Sequence, residues 1–167
     1  MELGFYNHTK RQQEGEFVLK LPAEATVSSY ALEVNGKMWG GVAVEKAQAR
    51  NAYESIKRRR VDPGLVEREA GNVYRTRIFP IEGESIKRVR IGFIHPLGDD
   101  ASYELPLQHR QMIADFSCRV SGAQDSPVME PAPEGEIKPR AVKADSGAWQ
   151  WQGTGVSLGA TVLTAEP

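Results

Sequence analysis

Apolar and polar residues alternate with period two through most of this chain, a pattern that suits pleated sheets and little else. Phe17, Leu19 and Leu21 alternate with Glu16, Val18 and Lys20, and Pro22 stops the run. Tyr30, Leu32 and Val34 alternate with Ala31 and Glu33 and lead into Asn35-Gly36. Asn-Gly between two strand-like runs is the strongest short hairpin signal, because both central positions of a type I′ turn need positive φ. The return run is Lys37 to Val44, and Gly40-Gly41 within it predicts a bulge or a close backbone approach.

One segment breaks the period. Val44, Ala47, Ala52, Tyr53 and Ile56 fall near helical spacing, with Glu45, Lys46, Gln48, Arg50, Asn51 and Glu54 opposite, which predicts a helix over residues 44–60. Asp62-Pro63-Gly64 then reads as a structural turn, since Pro presets φ for one central position and Gly tolerates the unusual φ of the next. Strand patterns resume at Leu65–Arg68, Val73–Phe79 and Val89–Phe93, broken by turns at Ala70-Gly71-Asn72 and Glu82-Gly83-Glu84. Arg88, Arg90 and Gly92 give the last of these strands one wet, basic face. Further short strands are expected around Tyr103–Leu107 and Phe116–Val120. The tail recovers alternation through Trp149 and Trp151, then Val156 to Val162.

These elements predict a mainly β protein, an antiparallel β-sandwich with one helix inserted around residues 44–60. A chain of 167 residues is expected to form one domain. Within it, residues 1–121 are read as the sandwich core. Residues 122–140 are read as a Pro/Glu-rich loop whose prolines forbid a sheet interior, and residues 141–167 as strands packing on the same domain.

Composition narrows the function. With 40% hydrophobic and 26% charged residues the chain is an ordinary globular sequence, and its one cysteine excludes an internal disulfide or thiolate cluster. No apolar run approaches the ~20 residues of a membrane span, and the first residues lack a secretory apolar stretch. Residues 44–93 carry 12 Lys/Arg against 7 Asp/Glu, a net charge of +5, and the remainder carries −6. Such segregation can orient a partner, but a nucleic-acid binder would be basic throughout.

A search for chemistry finds no catalytic set. His8, His95 and His109 lie in separate segments without metal-ligand spacing, and Cys118 sits between Phe116 and Val120 as a buried inert thiol would. Gly153-Thr154-Gly155 is followed by the wrong spacing for a phosphate cradle. Asn7-His8-Thr9 fits a glycosylation acceptor triplet. No cofactor or metal is implied, and the chain is not expected to be an enzyme. What stands out is basic: Lys57, Arg58, Arg59 and Arg60 at the expected helix end, with Arg68, Arg88 and Arg90 as further members of a candidate partner patch. Cations at a helix C-terminus complement the macrodipole, so a solvated face is the plainer reading of the run.

Five blocks in order carry a family resemblance: Leu19-Lys20-Leu21-Pro22; Glu45-Lys46-Ala47-Gln48-Ala49-Arg50 with Tyr53; Asp62-Pro63-Gly64-Leu65-Val66-Glu67; Gly71-Asn72-Val73-Tyr74-Arg75; and Ile78-Phe79-Pro80-Ile81. Together they resemble the VIT (vault protein inter-alpha-trypsin) domain, most closely its bacterial branch, over roughly residues 3 to 120 by the usual size of one domain. The resemblance implies a non-catalytic β-sandwich in an extracytoplasmic setting. It also implies a module excised from a longer protein that carries a von Willebrand factor type A domain. Relatives generally have one or two strands before the segment matching Phe5-Tyr6-Asn7, so an open sheet edge is expected there. The D-x-S-x-S metal loop of type A domains has no counterpart, since Asp100-Ala101-Ser102-Tyr103-Glu104 fails at its last position.

The resulting expectation is an interaction or scaffold module that docks on a neighbouring type A domain or another protein. The alternatives are a fragment of a carbohydrate-processing enzyme and a polyanion binder using the basic region.

Overall fold

A computed structural model describes residues 1–41, 51, 64–97, 103–107, 109, 111–135, 142–144 and 146–166. The helix expected over residues 44–60 lies outside the described residues apart from Asn51, as do Asp62 and Pro63 of the expected turn. The described chain is mainly β, and its strand pairings are antiparallel. It divides into two compact units, Met1–His95 and Pro96–Pro167.

The first unit contains β1 (Glu2–Tyr6), β2 (Gln13–Lys20), β3 (Thr26–Val34), β4 (Lys37–Gly40), β5 (Gly64–Glu69), β6 (Val73–Ile81) and β7 (Ile86–Ile94). One sheet has the order β1-β7-β3-β4 and the other β2-β6-β5, which leaves β1 and β4 at the edges of the first among the described residues. The hairpin turn forms as the Asn-Gly pair dictates. Asn35 and Gly36 have φ of 51° and 75°, and Val34 pairs with Lys37 across them. Beyond β4 the Gly41 amide donates to the Tyr30 carbonyl at 2.7 Å, and a Cβ on Gly41 would stand 3.0 Å from the Tyr30 ring.

Alternation then decides which side chains are buried. On β6, Tyr74, Thr76 and Ile78 point into the unit while Arg75 and Arg77 point out. Leu32, Val89 and Ile91 of the first sheet and Ile78 and Ile81 of the second form one cluster, so the two sheets share a core. Each such aliphatic side chain contributes about 1.5–3 kcal/mol by leaving water. A second cluster joins Leu21, Ala25 and Tyr74, with Leu19, Val66, Val27 and Phe93 packed against it.

The second unit contains β8 (Tyr103–Pro106), β9 (Ile113–Val120), β10 (Val128–Glu130), β11 (Val142–Lys143), β12 (Trp149–Val156) and β13 (Val162–Ala165). Its sheets are β10-β13-β8 and β11-β12-β9. Trp151 is buried with Met129 and Leu163, and Phe116, Cys118, Val120 and Trp149 pack around them. The stretch 122–140, read as loop from its prolines, contributes β10, which sits at a sheet edge where flanking prolines cost no ladder hydrogen bonds.

Thr76 is the polar exception in the first unit's interior. It is 1% exposed, faces the shared interior from the central strand β6, and its Oγ1 has no hydrogen-bond partner. An unpaired buried hydroxyl costs roughly 1–3 kcal/mol, and valine keeps the β-branched shape without that cost. Thr76→Val is therefore expected to stabilise the protein by about 1 kcal/mol in chemical denaturation.

Candidate functional site

Two outward faces of the first unit carry most of its organised polar chemistry. The first belongs to β2, β6 and β5. Arg75 ion-pairs with Glu16 and, at 2.8 Å, with Glu69, while Arg77 lies 3.9 Å from both Glu16 and Glu67. The register explains the ladder: Glu67 is opposite Arg75, and Glu16 is opposite Arg77. The charged residues that crowd these strands in the sequence thus satisfy one another. Glu67 is only 5% exposed on this face, which is tolerable because its carboxylate has a guanidinium within reach.

The second face belongs to β1 and β7. Arg88 pairs with Glu33 at 3.2 Å and Arg90 with Glu2 at 2.8 Å. Residues two apart on a strand share a face, so Ile86 and Ile94 stand in the same row as Arg88 and Arg90. Ile86 is 43% exposed, its register partner Tyr6 is 52% exposed, and Ile94 is 66% exposed. The His8 ring meets Tyr6 edge-on at 4.6 Å. A polar cavity of about 170 Å³, lined by Glu33, Asn35, Glu82, Ser85, Ile86 and Lys87, adjoins this row at Ile86.

The candidate patch residues therefore have different settings. Arg88 and Arg90 share this face and are neutralised by carboxylates, whereas Arg68 is exposed on β5 of the other sheet. Lys57, Arg58, Arg59 and Arg60 lie outside the described residues. Gly64 opens β5 and pairs with Ile78. The outer face of β7, expected to be wet and basic from Arg88 and Arg90, also carries Ile86 and Ile94, with Tyr6 beside Ile86 on β1. The even-numbered spacing of Ile86, Arg88, Arg90 and Ile94 was the available signal.

Two asparagines hold the loops that frame these faces. Asn7 is buried, and its Nδ2 donates to the carbonyls of Arg11 at 2.7 Å and of Ile81 and Glu82 at 3.0 Å. Its Oδ1 accepts from the Thr9 amide at 3.0 Å. Gly83 fits this junction because it lacks a Cβ, which would stand 2.5 Å from the Lys10 carbonyl carbon. The triplet Asn7-His8-Thr9 is thus a structural latch in the folded chain, not an open glycosylation acceptor. Asn72, with φ of 56°, donates from Nδ2 to the carbonyls of Pro22 at 2.5 Å and Ala25 at 2.7 Å. It ties the β5–β6 turn to the loop after β2.

These contacts join the residues that make the sequence distinctive. Leu21 and Pro22 meet Asn72 and Tyr74, Glu67 meets Arg77 and stands opposite Arg75, and Ile78 and Ile81 fill the shared core. The family model for the vault protein inter-alpha-trypsin domain matches residues 1–93. The chain belongs to the VIT family. The match ends within the first unit, well short of the residue 120 expected from domain size. No curated protein matches the chain significantly.

Burial pushes the Cys118 thiol up, the opposite of what a thiolate nucleophile needs. Among the described residues, no group of three His, Cys, Asp or Glu side chains is placed to hold a metal ion, and no helix is long and apolar enough to cross a membrane.

Burial also lifts the Tyr30 hydroxyl well above the phenol's ordinary 10.0, and that hydroxyl has no hydrogen-bond partner. The folded chain then keeps a proton that the unfolded chain loses above pH 10.0, so Tyr30 contributes a loss of stability as pH rises past that value. Tyr30→Phe is expected to leave stability at neutral pH unchanged or higher, and to reduce the alkaline fall in melting temperature. Asn7→Asp is expected to destabilise the VIT domain by about 3 kcal/mol, measured by denaturant titration, because a carboxylate would face three carbonyl oxygens without a hydrogen to donate.

Proposed function

We propose that this VIT domain is a non-catalytic interaction module whose first unit is a β-sandwich and whose β1–β7 face docks a protein partner. The partner that the family suggests is a von Willebrand factor type A domain, in an extracytoplasmic setting. The observation that carries the reading is the row on that face: Tyr6, Ile86 and Ile94 exposed, with Arg88 and Arg90 between the isoleucines and held by Glu33 and Glu2. Interfaces characteristically combine large apolar or aromatic anchors with surrounding polar groups that are already satisfied. Tyr6 and Ile86 are register partners and expose an adjoining apolar pair, with Ile94 further along the same row of β7.

The charges have a separate part in the proposal. Exposed ion pairs contribute under ~1 kcal/mol each to the fold, so Arg88 and Arg90 keep their carboxylates at little cost. Lys57, Arg58, Arg59, Arg60 and Arg68 supply positive charge that steers an acidic partner. Charges outside the buried centre of an interface mainly raise the association rate and make it sensitive to salt.

The test is surface plasmon resonance of the whole chain against a type A domain supplied in trans. Tyr6→Glu with Ile86→Glu is expected to weaken binding at least tenfold while the melting temperature stays within a few degrees of the parent. Reversing Arg58, Arg59 and Arg60 to Glu is expected to slow association and reduce its dependence on salt. Binding that survives the Tyr6/Ile86 pair of substitutions unchanged would overturn the docking face. Retention on heparin that falls steeply with salt, without type A binding, would favour a polyanion binder instead.

A further inference from the structure

Asn7, Asn35 and Asn72 differ sharply in what holds their amides. Asn7 Nδ2 is engaged by three carbonyls and Asn72 Nδ2 by two, and each is buried. The residues that follow them are His8 and Val73, and Asn51 is followed by Ala52, all of which carry a Cβ. Asn35 is the one asparagine followed by glycine, and it is exposed at the tip of the β3–β4 turn. The space beside Gly36 is open, with nothing within 4 Å of where a Cβ would stand. That turn closes β4, a four-residue strand at a sheet edge among the described residues, and short edge elements open locally at low cost.

We propose that Asn35 is a site of spontaneous covalent modification, deamidation through a succinimide, and that the modification acts on the pairing of β3 with β4. When the turn opens, hydroxide removes the Gly36 amide proton and the nitrogen attacks Asn35 Cγ. The new N–Cγ bond forms as the Cγ–Nδ2 bond breaks, and the amide leaves as ammonia after taking a proton from water. Water then opens the five-membered ring at either carbonyl. Opening at the former backbone carbonyl leaves the chain running through Cγ, an isoaspartyl residue. Opening at Cγ gives aspartate. Water and hydroxide are the only co-reactants, and no oxidation state changes.

The two products have different consequences here. Aspartate tolerates the positive φ of position 35, so the turn survives. It adds a carboxylate to a cavity already lined by Glu33 and Glu82. The isoaspartyl product inserts a methylene into a two-residue turn whose geometry sets the register Val34–Lys37 and Leu32–Trp39. Loop length fixes hairpin register, so β4 loses its match to β3 and Trp39 its place opposite Leu32.

Ageing the folded chain in mildly alkaline buffer tests this. The tryptic peptide Leu21–Lys37 contains Asn35 and no other asparagine or glutamine, so a mass gain in it reports this site alone. The expected result is progressive conversion of that peptide into aspartyl and isoaspartyl forms, separable by chromatography, while the peptides bearing Asn7 and Asn72 stay intact. Amide hydrogen exchange of Met38–Gly40 should speed up in step with the isoaspartyl fraction. Asn35→Gly keeps a residue suited to the turn and should show neither change. An Asn35 that stays intact in the folded chain, through an ageing period that converts it in urea, would overturn the site. Conversion without faster exchange in β4 would overturn its effect on the hairpin.

Discussion

The first unit depends on β6. It is the central strand of its sheet, and its inward residues reach both buried clusters: Ile78 and Ile81 enter the core shared with β3 and β7, while Tyr74 anchors the cluster with Leu21 and Ala25. Because the side-chain period is two, burying Tyr74, Thr76 and Ile78 forces Arg75 and Arg77 outward. Those arginines then need the glutamates of β2 and β5 opposite them, so one strand's register sets the pattern of the whole sheet. Thr76 keeps its hydroxyl unpaired at the middle of this arrangement, a departure from an all-apolar interior for which the contacts offer no compensating bond.

Strands alone do not fix where a chain turns, and here two side-chain amides do much of that work. Asn7 gathers the carbonyls of Arg11, Ile81 and Glu82, which stem from opposite ends of the unit's sequence. Asn72 does the same for Pro22 and Ala25. Asn72 adds a second donor to the Pro22 carbonyl, which already accepts from the Ala25 amide at 3.0 Å, and a buried carbonyl left alone would cost more than the ordering of one asparagine. This explains why an asparagine stands between Gly71 and Val73 in one of the blocks that mark the family, with a left-handed φ that asparagine tolerates better than most residues.

Much of this was legible from alternation and turn chemistry. The strands around Leu19, Leu32, Ile78, Ile91, Cys118 and Trp151 could all be read, and Asn35-Gly36 gave its turn type directly. What local pattern could not show was convergence across long sequence separations. Asn7 reads as a glycosylation triplet because its three residues carry no trace of carbonyls 74 and 75 positions away. Arg75 and Glu16 are 59 residues apart, and nothing local announces that they meet. The prolines of residues 122–140 argue against a sheet interior but do not exclude the three-residue edge strand found there, since an edge needs hydrogen bonds on one side only. Charge alone groups Arg68 with Arg88 and Arg90, and charge does not say which sheet a residue stands on.

The two outer faces of the first unit differ in what they leave unfinished. On β2-β6-β5 the long side chains answer one another, with each arginine beside two glutamates. Such a ladder covers its own sheet, and a partner that broke it would have to desolvate several charges at once. On β1 and β7 Arg88 and Arg90 each pair with one carboxylate among the described residues, and the exposed positions around them are Tyr6, Ile86 and Ile94. Covering Tyr6 and Ile86, which stand opposite each other, removes apolar area from water, and a contact that reaches on to Ile94 also covers the Arg88 and Arg90 ion pairs without having to break them. This difference between the two faces is what the proposed docking at the β1–β7 face rests on.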